Sequence, residues 1–280
     1  ASIAIFLLKI ITFTEKRKIK GRLQELFSSK EKIKSFDYKE INLTPIKKNI
    51  KYEFNKSDIR KIKDEGFDLI IRGTSKILSG EILTSSRFGI LSIHHGDYRK
   101  FRGGPSGFWE VFLRNSQTGF TIQILSESLD AGKIQFVGKI PTQKFYILNK
   151  EILYNSANRY LKIVIKNIYS NQCIADQESD KNHLGKIYKF PSIFVVTEYF
   201  LFTFLRYVFI KIKKAANLRH YDNHWNIAYV TEKWNYQEEA KINVIQNPKN
   251  SFLADPFLFQ FENKLYCFCE EFIYSENKGR

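Results

Sequence analysis

The pattern of apolar and polar positions in the first part of the chain predicts strands that alternate with helices. Short apolar runs between turn residues indicate buried strands, and amphipathic stretches indicate helices. Ser57 is predicted to cap one helix and Pro105 to open another, where its missing N–H costs nothing. The predicted strands are 67–73, 88–94 and 119–125, and the predicted helices are 15–35, 58–65, 79–86, 105–115 and 148–170. This alternation predicts an α/β fold with a parallel sheet.

The pattern changes after residue 220, where short strands separated by turns are predicted at 224–230, 252–259 and 264–270. This all-β pattern predicts a domain boundary near 217–222. Too few strands follow to close a sheet, which indicates that the β domain is truncated. The predicted organisation is a Lys-rich lead-in or truncated first βα unit at 1–50, an α/β domain at 51–190, an apolar helical linker at 191–221 and a partial β domain at 222–280.

Residues 191–216 form the most apolar stretch of the chain, and two interpretations compete for it. Glu198 and Arg206 stand inside it, and each charge is costly in hydrocarbon. A helix that packs between domains or lies at a membrane interface is therefore favoured over a membrane span. The predicted localisation is cytoplasmic, with peripheral membrane contact through 191–216 as the open alternative.

The net charge of +16 at pH 7 bears on the class of partner that the protein binds. Nucleic acid is not predicted as a partner, because no Arg-rich stripe with interleaved aromatics and no zinc-finger spacing is present. An anionic small molecule or an acidic membrane surface is favoured instead. Cys267 and Cys269 form a C-x-C within a predicted strand and are predicted to be buried structural thiols. With Cys173 they form no disulfide framework, which indicates an intracellular protein.

Candidate chemistry is concentrated after the second predicted strand. Ser92 and His94 are predicted on one face of that strand at its carboxyl end, where ligands bind in open α/β sheets. A histidine there can act as a general base, and Asp130, which follows the third strand, can orient it. A structural histidine is the alternative. A metal site on His94, His95 and Asp97 is not predicted, because adjacent strand residues face opposite ways.

Several short segments stand in a recognisable order: Phe67-Asp68-Leu69-Ile70, 89–94, Arg102-Gly103, 118–122 and Leu129-Asp130-Ala131-Gly132. Through them, residues 67–140 resemble the formyltransferase family. The resemblance implies a Rossmann-like fold and transfer of a formyl group from 10-formyltetrahydrofolate to an amine.

The same resemblance assigns roles to individual residues. His94 and Asp130 fall on the family's catalytic histidine and aspartate, and Ser92 stands where the family has an asparagine. Ser92 and His95 are then the expected oxyanion partners. The family's usual loop is replaced by 95–99, and Arg99 and Arg102 suit an anionic group such as phosphate. Asp97 and Gly103 complete the expected binding loop.

The segment 103–110 resembles a subgroup in which this domain precedes a sugar-active β-propeller. In agreement, 253–257 and 264–268 resemble the first blade of propellers in glycoside hydrolases and in glucosamine inositolphosphorylceramide transferases. This likeness implies a functional carboxylate at Asp255, although Asp-Pro also begins turns. The expected function is formyl transfer to an amino sugar or nucleotide sugar in glycan biosynthesis. The alternative is an altered formyltransferase fold that binds sugar or acts as a scaffold.

Overall fold

The computed structural model describes residues 2–18, 38–128, 132–176, 185–215, 225–231, 242–276 and 278–280. Its helices are α1 (Ser2–Lys18), α2 (Lys56–Asp64), a 3-10 helix (Gly80–Thr84), α3 (Phe108–Phe112), α4 (Tyr146–Asn171) and α5 (Ile193–Ala215). Its strands are β1 (Ile46–Lys48), β2 (Lys51–Glu53), β3 (Ile70–Ile71), β4 (Ile77–Leu78), β5 (Ile90–His94), β6 (Phe101–Gly103), β7 (Gln117–Ile124), β8 (Lys133–Pro141), β9 (Lys186–Tyr188), β10 (Ala228–Tyr229), β11 (Asn243–Val244), β12 (Ser251–Phe261), β13 (Lys264–Ile273) and β14 (Lys278–Gly279).

The central sheet has four strands in the order β3-β5-β7-β8 and is mixed rather than wholly parallel. The β3–β5 pair is parallel, as predicted, whereas β5–β7 and β7–β8 are antiparallel. The prediction of a parallel third strand was therefore wrong. The physical reason is that α3 has five residues and rises about 8 Å, roughly half the length of β5, so it does not carry the chain back along the strand.

Several element ends differ from the prediction. Asn55, not Ser57, caps α2, because its Oδ1 atom accepts a hydrogen bond from the Asp58 N–H at 2.8 Å. Helix α3 begins at Phe108 rather than at Pro105, since Gly107 between them has a left-handed φ of 76°. Ser79 does precede a helical turn, which is 3-10. The predicted strand 67–73 is reduced to the two residues of β3.

Two apolar cores flank the central sheet. On one side α4 covers β5 and β7, and Leu91, Phe120 and Leu153 are completely buried there. On the other side α2 and the 3-10 helix cover Ile90. Because strand residues alternate, Leu91 and Ile93 face α4, whereas Ile90, Ser92 and His94 face the other way.

A third core joins α1 and α5 to α3 and to the start of α4. Its polar centre is the buried Glu15, whose carboxylate accepts hydrogen bonds from the Ile147 N–H at 2.9 Å and the Tyr199 hydroxyl at 2.5 Å. The Tyr199 hydroxyl also accepts a hydrogen bond from the Tyr146 N–H. Glu15 and Tyr199 thus satisfy amide groups at the amino end of α4, where a negative charge is favourable. Of the predicted helix 15–35, the structure describes only residues 15–18, which form the end of α1. Residues 19–37 lie outside the described residues.

The chain divides into two compact units, residues 1–205 and 206–280. The second contains the small β10–β11 pair and the antiparallel sheet β12-β13-β14. Cys267 and Cys269 lie on β13 and are exposed, so the prediction that these two thiols are buried was wrong. The reason is that much of the β12–β13 hairpin is uncovered on both faces. Among the helices described, none is long and apolar enough to cross a membrane.

Candidate functional site

Strand β5 presents Ser92 and His94 on the sheet face that points away from α4. In the antiparallel register with β7, Ser92 lies opposite Gln123 and His94 lies opposite Thr121. Directly opposed residues project to the same face with their Cβ atoms about 5 Å apart. These four side chains therefore form one polar surface, which we call the polar face of β5.

Two atoms on the polar face are buried without a hydrogen-bond partner among the described residues. They are the Oγ atom of Ser92 and the Oε1 atom of Gln123, in side chains that are 1% and 3% exposed. A Cβ placed on Gly132 would be 3.5 Å from this Gln123 oxygen, so Oε1 points towards Gly132. Each unsatisfied buried group costs about 1–3 kcal/mol, and such groups are rare enough in folded proteins to need a reason.

The loop after β5 closes around the His94 ring. The His94 Nε2 atom lies 3.4 Å from the Phe101 carbonyl oxygen. A Cβ on Gly96 would lie 2.5 Å from the same oxygen and 3.0 Å from Nε2, so only glycine permits this approach. The Thr121 hydroxyl donates a hydrogen bond to the Gly96 carbonyl at 3.1 Å and fixes the loop to β7. The imidazole is thereby held in one place at the end of the strand.

His95 lies on the opposite side, against α4. Its ring stacks on Tyr154 with centroids 3.7 Å apart and an interplanar angle of 9°. Burial, together with the neighbouring charges of His94, Lys150 and Arg72, lowers the pKa of His95 to about 4, so the ring is neutral at pH 7. The structure thus does not bring His95 together with Ser92. Within the described residues, no group of three His, Cys, Asp or Glu side chains could hold a metal ion.

Asp97 and Arg99 pair with each other in the loop. The Arg99 guanidinium donates from Nε and NH2 to the two Asp97 carboxylate oxygens at 3.0 and 3.2 Å, and its backbone N–H donates to Oδ1. Asp97 is 4% exposed, so this two-pronged ion pair compensates a buried charge. The pair shapes the loop, and part of the cationic surface expected from Arg99 is neutralised by it.

Glu110 is a buried carboxyl on α3 that sequence reasoning missed. Its Oε1 atom has no hydrogen-bond partner among the described residues. Burial, reinforced by the charge of Asp97, raises the pKa of Glu110 from its ordinary 4.5 to about 7. The side chain therefore changes its protonation near neutral pH.

The remaining predicted site residues are dispersed. Gly103 ends β6, and a Cβ there would lie 2.1 Å from the Tyr188 carbonyl oxygen, so it serves the β6–β9 pairing. Arg102 is also on β6, half-buried beside the same strand. Asp255 is in the second unit, exposed on a bulge of β12 with a left-handed φ of 48°. Asp130 lies outside the described residues.

Gln123 and Thr121 were missed as site residues, although the sequence carries a signal for them. The stretch 119–125 is apolar except at these two positions, which are two apart and so share one strand face. Ser92 and His94 show the same spacing in the preceding strand. Two neighbouring strands that each carry a polar pair in an apolar run indicate a polar face between them.

A cavity of about 500 Å³ lies at the other end of β5, around Gly89. Its lining combines apolar side chains of the sheet and the 3-10 helix with Ser126, Glu127 and Ser128 of the loop after β7. Ser92, His94 and His95 do not line it. The Glu127 carboxylate accepts a hydrogen bond from the Gly80 N–H at 2.5 Å and lies 3.4 Å from the Lys51 Nζ atom, so that loop is tied to the 3-10 helix.

Residues 4–159, more than half of the chain, match the sequence model of the family described as formyl transferase. The chain belongs to the formyl transferase family. The match contains the whole polar face of β5, the loop after it and the Glu110 carboxyl. Members of this family generally use 10-formyltetrahydrofolate.

The formyl transferase relatives include two methionyl-tRNA formyltransferases. The one from Gloeothece citriformis is 24% identical over 135 residues, and the one from Prochlorococcus marinus is 31% identical over 135 residues. The alignments cover 48% and 46% of this chain but 39% and 40% of the relatives, so the chain spans about two fifths of their length. A sugar N-formyltransferase of a Shewanella species is similar in structure, with a TM-score of 0.38, 18% identity and coverage of 48% of this chain and 53% of that protein.

Proposed function

We propose that the polar face of β5 is the centre at which this domain transfers a formyl group to the amine of an amino sugar or nucleotide-linked sugar in glycan biosynthesis. The observation that carries the proposal is the pair of orphaned buried atoms, Ser92 Oγ and Gln123 Oε1, on the face that holds His94. Polar atoms left without partners in an otherwise packed domain are expected where a ligand supplies the missing hydrogen bonds.

The two orphaned atoms offer complementary chemistry. The Ser92 hydroxyl can donate a hydrogen bond to the formyl oxygen, on which negative charge develops as the amine nitrogen attacks the carbon. The Gln123 carbonyl oxygen can only accept, and it suits an N–H of the attacking amine. His94 takes the proton that the nitrogen loses as the new C–N bond forms. The family resemblance assigns the orientation of His94 to Asp130.

We infer that 10-formyltetrahydrofolate is the donor, which supplies the formyl group when bound. The cavity lies at the opposite end of β5 from His94, so it does not place a donor beside the proposed base, and the inference of this donor rests on the family membership.

The acceptor is proposed as a sugar because of the second unit. Its segments 253–257 and 264–268 resemble in sequence the first blade of sugar-active propellers, which supports this proposal, and the bulge at Asp255 is of a kind that often re-aims a side chain at a functional site. Arg102, next to the loop that carries His94, is the residue proposed to bind a phosphate of the acceptor.

The test compares two substitutions of the polar face with one control substitution in a formylation assay with amino sugars and nucleotide-linked amino sugars. Ser92→Ala and Gln123→Leu each remove one hydrogen bond that is proposed to form with the reactants, and we expect kcat/KM to fall by roughly tenfold to a thousandfold. Ser85→Ala is the matched control, because Ser85 is equally buried but bonds to the backbone of its own turn. Full activity in both polar-face variants would contradict the proposal.

A second function, an altered formyltransferase fold that binds sugar or acts as a scaffold, is favoured by the position of the cavity. The cavity is not lined by His94 or Ser92, so ligand binding there need not involve them. Calorimetry separates the two functions. Binding of a nucleotide sugar without any binding of a folate analogue supports the scaffold, whereas binding of both supports the transferase.

A further inference from the structure

Helices α1 and α5 each carry a second apolar stripe on the side opposite the core. In α1 the residues Ala4, Leu8 and Ile11 are buried at helical spacing, whereas Phe6 and Phe13 are 62% and 60% exposed. Ile3 and Ile10 lie on the same outward side and are also exposed. A helix that is apolar on both sides is expected where both sides become covered.

Helix α5 repeats this arrangement beside α1. Val196 and Tyr199 face the core, and Phe194 on the outward side is 83% exposed. Phe204 and Leu205 follow on the outward side and are more than half exposed. The outward stripes are Ile3, Phe6, Ile10 and Phe13 of α1 with Phe194, Leu201, Phe204 and Leu205 of α5, and we call them together the outer helix surface.

Helices α1 and α5 are held together by a shared core and by a hydrogen bond. They pack on the same core, and the Glu15 carboxylate of α1 accepts a hydrogen bond from the Tyr199 hydroxyl of α5 at 2.5 Å. Clustered exposed phenylalanine and leucine side chains of this kind mark interaction sites rather than ordinary protein surface.

Charge identifies what the outer helix surface fits. The sequence of α1 has four cations and one acid, and the acid is the buried Glu15. The sequence of α5 also has four cations, all of them after Leu205, and a single acid, Glu198, which is exposed within the outward stripe. In α1, Lys9 and Lys16 are exposed beside the apolar stripe. Exposed aromatic residues with flanking lysines are the composition of helices that lie in the interface of an anionic bilayer.

We propose that the outer helix surface docks on an anionic lipid bilayer, with the phenylalanines of both helices inserted among the acyl chains. This binding is independent of formyl transfer, because the outer helix surface shares no residue with the polar face of β5. It extends the membrane contact expected for 191–216 to α1, which the sequence did not single out.

The test is co-sedimentation of the purified 280-residue chain with phosphatidylcholine vesicles that contain or lack phosphatidylglycerol. We expect binding to the anionic vesicles and at least roughly tenfold weaker binding to the neutral ones. Phe6→Glu and Phe194→Glu are each expected to weaken binding to anionic vesicles by roughly tenfold or more. Tyr169→Glu is the matched control, since Tyr169 is a 77% exposed aromatic residue on α4, and its binding should equal that of the wild type.

Three results would overturn the proposal. The first is no binding of the wild type to anionic vesicles. The second is equal binding by wild type and both phenylalanine variants, with complete loss in about 1 M salt, where the Debye length is about 3 Å, because charge alone would then explain the attraction. The third is a dimer that Phe194→Glu converts to a monomer without changing vesicle binding, which would assign the surface to a second copy. Circular dichroism confirms that each variant is folded.

Discussion

The two faces of β5 differ although they belong to the same five residues. On the face towards α4, Leu91 and Ile93 enter a closed apolar core, and His95 just beyond the strand stacks on Tyr154. On the other face Ser92 and His94 meet Gln123 and Thr121, and polar atoms remain without partners among the described residues.

This difference shows that adjacent histidines at the end of β5 can have different surroundings. The packed histidine is neutral because burial makes its charge unfavourable, so it behaves as an aromatic side chain. His94 sits where the neighbouring side chains can take part in hydrogen bonds with a ligand. The packed face contributes stability, whereas the polar face keeps unsatisfied atoms at some cost in stability, as the proposed function requires.

The largest expected effect comes from substituting each of the two histidines alone and comparing kcat. His94→Gln is expected to lower kcat by roughly a hundredfold to ten-thousandfold, because the proposed base is lost. His95→Phe keeps the stacking on Tyr154 and is expected to lower kcat by less than about tenfold. Formylation assays under saturating donor measure both, and equal losses in the two variants would show that His95 also takes part in the reaction.

The sequence predicted part of this arrangement and could not have predicted the rest. Alternation placed Ser92 and His94 on one face, because the two-residue period of a strand depends on nothing but its backbone. The same period does not depend on whether a strand runs parallel or antiparallel to its neighbour. It therefore could not predict the antiparallel direction of β7 or the pairing of Ser92 with Gln123. The Asp97–Arg99 pair depends on the backbone of an irregular loop, for which no periodic signal exists.

Glu110, like Ser92 and Gln123, has a buried oxygen without a hydrogen-bond partner among the described residues, but its carboxyl group can also ionise. Its pKa is raised to about 7, so the folded state holds a proton that the unfolded state has lost above pH 4.5. The proton-linked stability is fully present below about pH 4.5 and is lost as the pH rises through about 7. Glu110→Gln should remove this dependence and be more stable than the wild type at pH 8 by about 3 kcal/mol.

Urea unfolding at pH 5 and pH 8 measures this difference. The contrast between wild type and variant must be larger at pH 8 than at pH 5, because the carboxylate is charged only at the higher pH. Gln135→Leu serves as a control on β8, where the side chain bonds to the backbone of the segment after α4 and carries no charge. If the difference in free energy of unfolding between wild type and Glu110→Gln did not depend on pH, Glu110 would not be a group that titrates in this range.

His95 gives the opposite pH dependence on the packed face. Its folded pKa of about 4 is below the ordinary 6.5, so the stability it contributes is present above pH 6.5 and is lost as the pH falls towards 4. We expect about 2 kcal/mol between pH 6.5 and 4, because the ring is only partly shielded from water. His95→Phe should abolish this loss in thermal unfolding, and a variant as acid-sensitive as the wild type would contradict the assignment.

The smallest expected effect tests whether the polar face carries a cost in stability. Gln123→Leu removes the orphaned Oε1 atom and adds apolar volume between Thr121 and the Gly132 segment. Because an unsatisfied buried acceptor is lost, the free energy of unfolding should rise by about 1 kcal/mol, while activity falls. The matched change on the other face, Ile122→Val, should lower the free energy of unfolding by about 1 kcal/mol, since Ile122 is completely buried. Opposite signs in these two urea titrations are what the comparison requires, because Gln123 leaves a buried acceptor unsatisfied whereas Ile122 fills an apolar core.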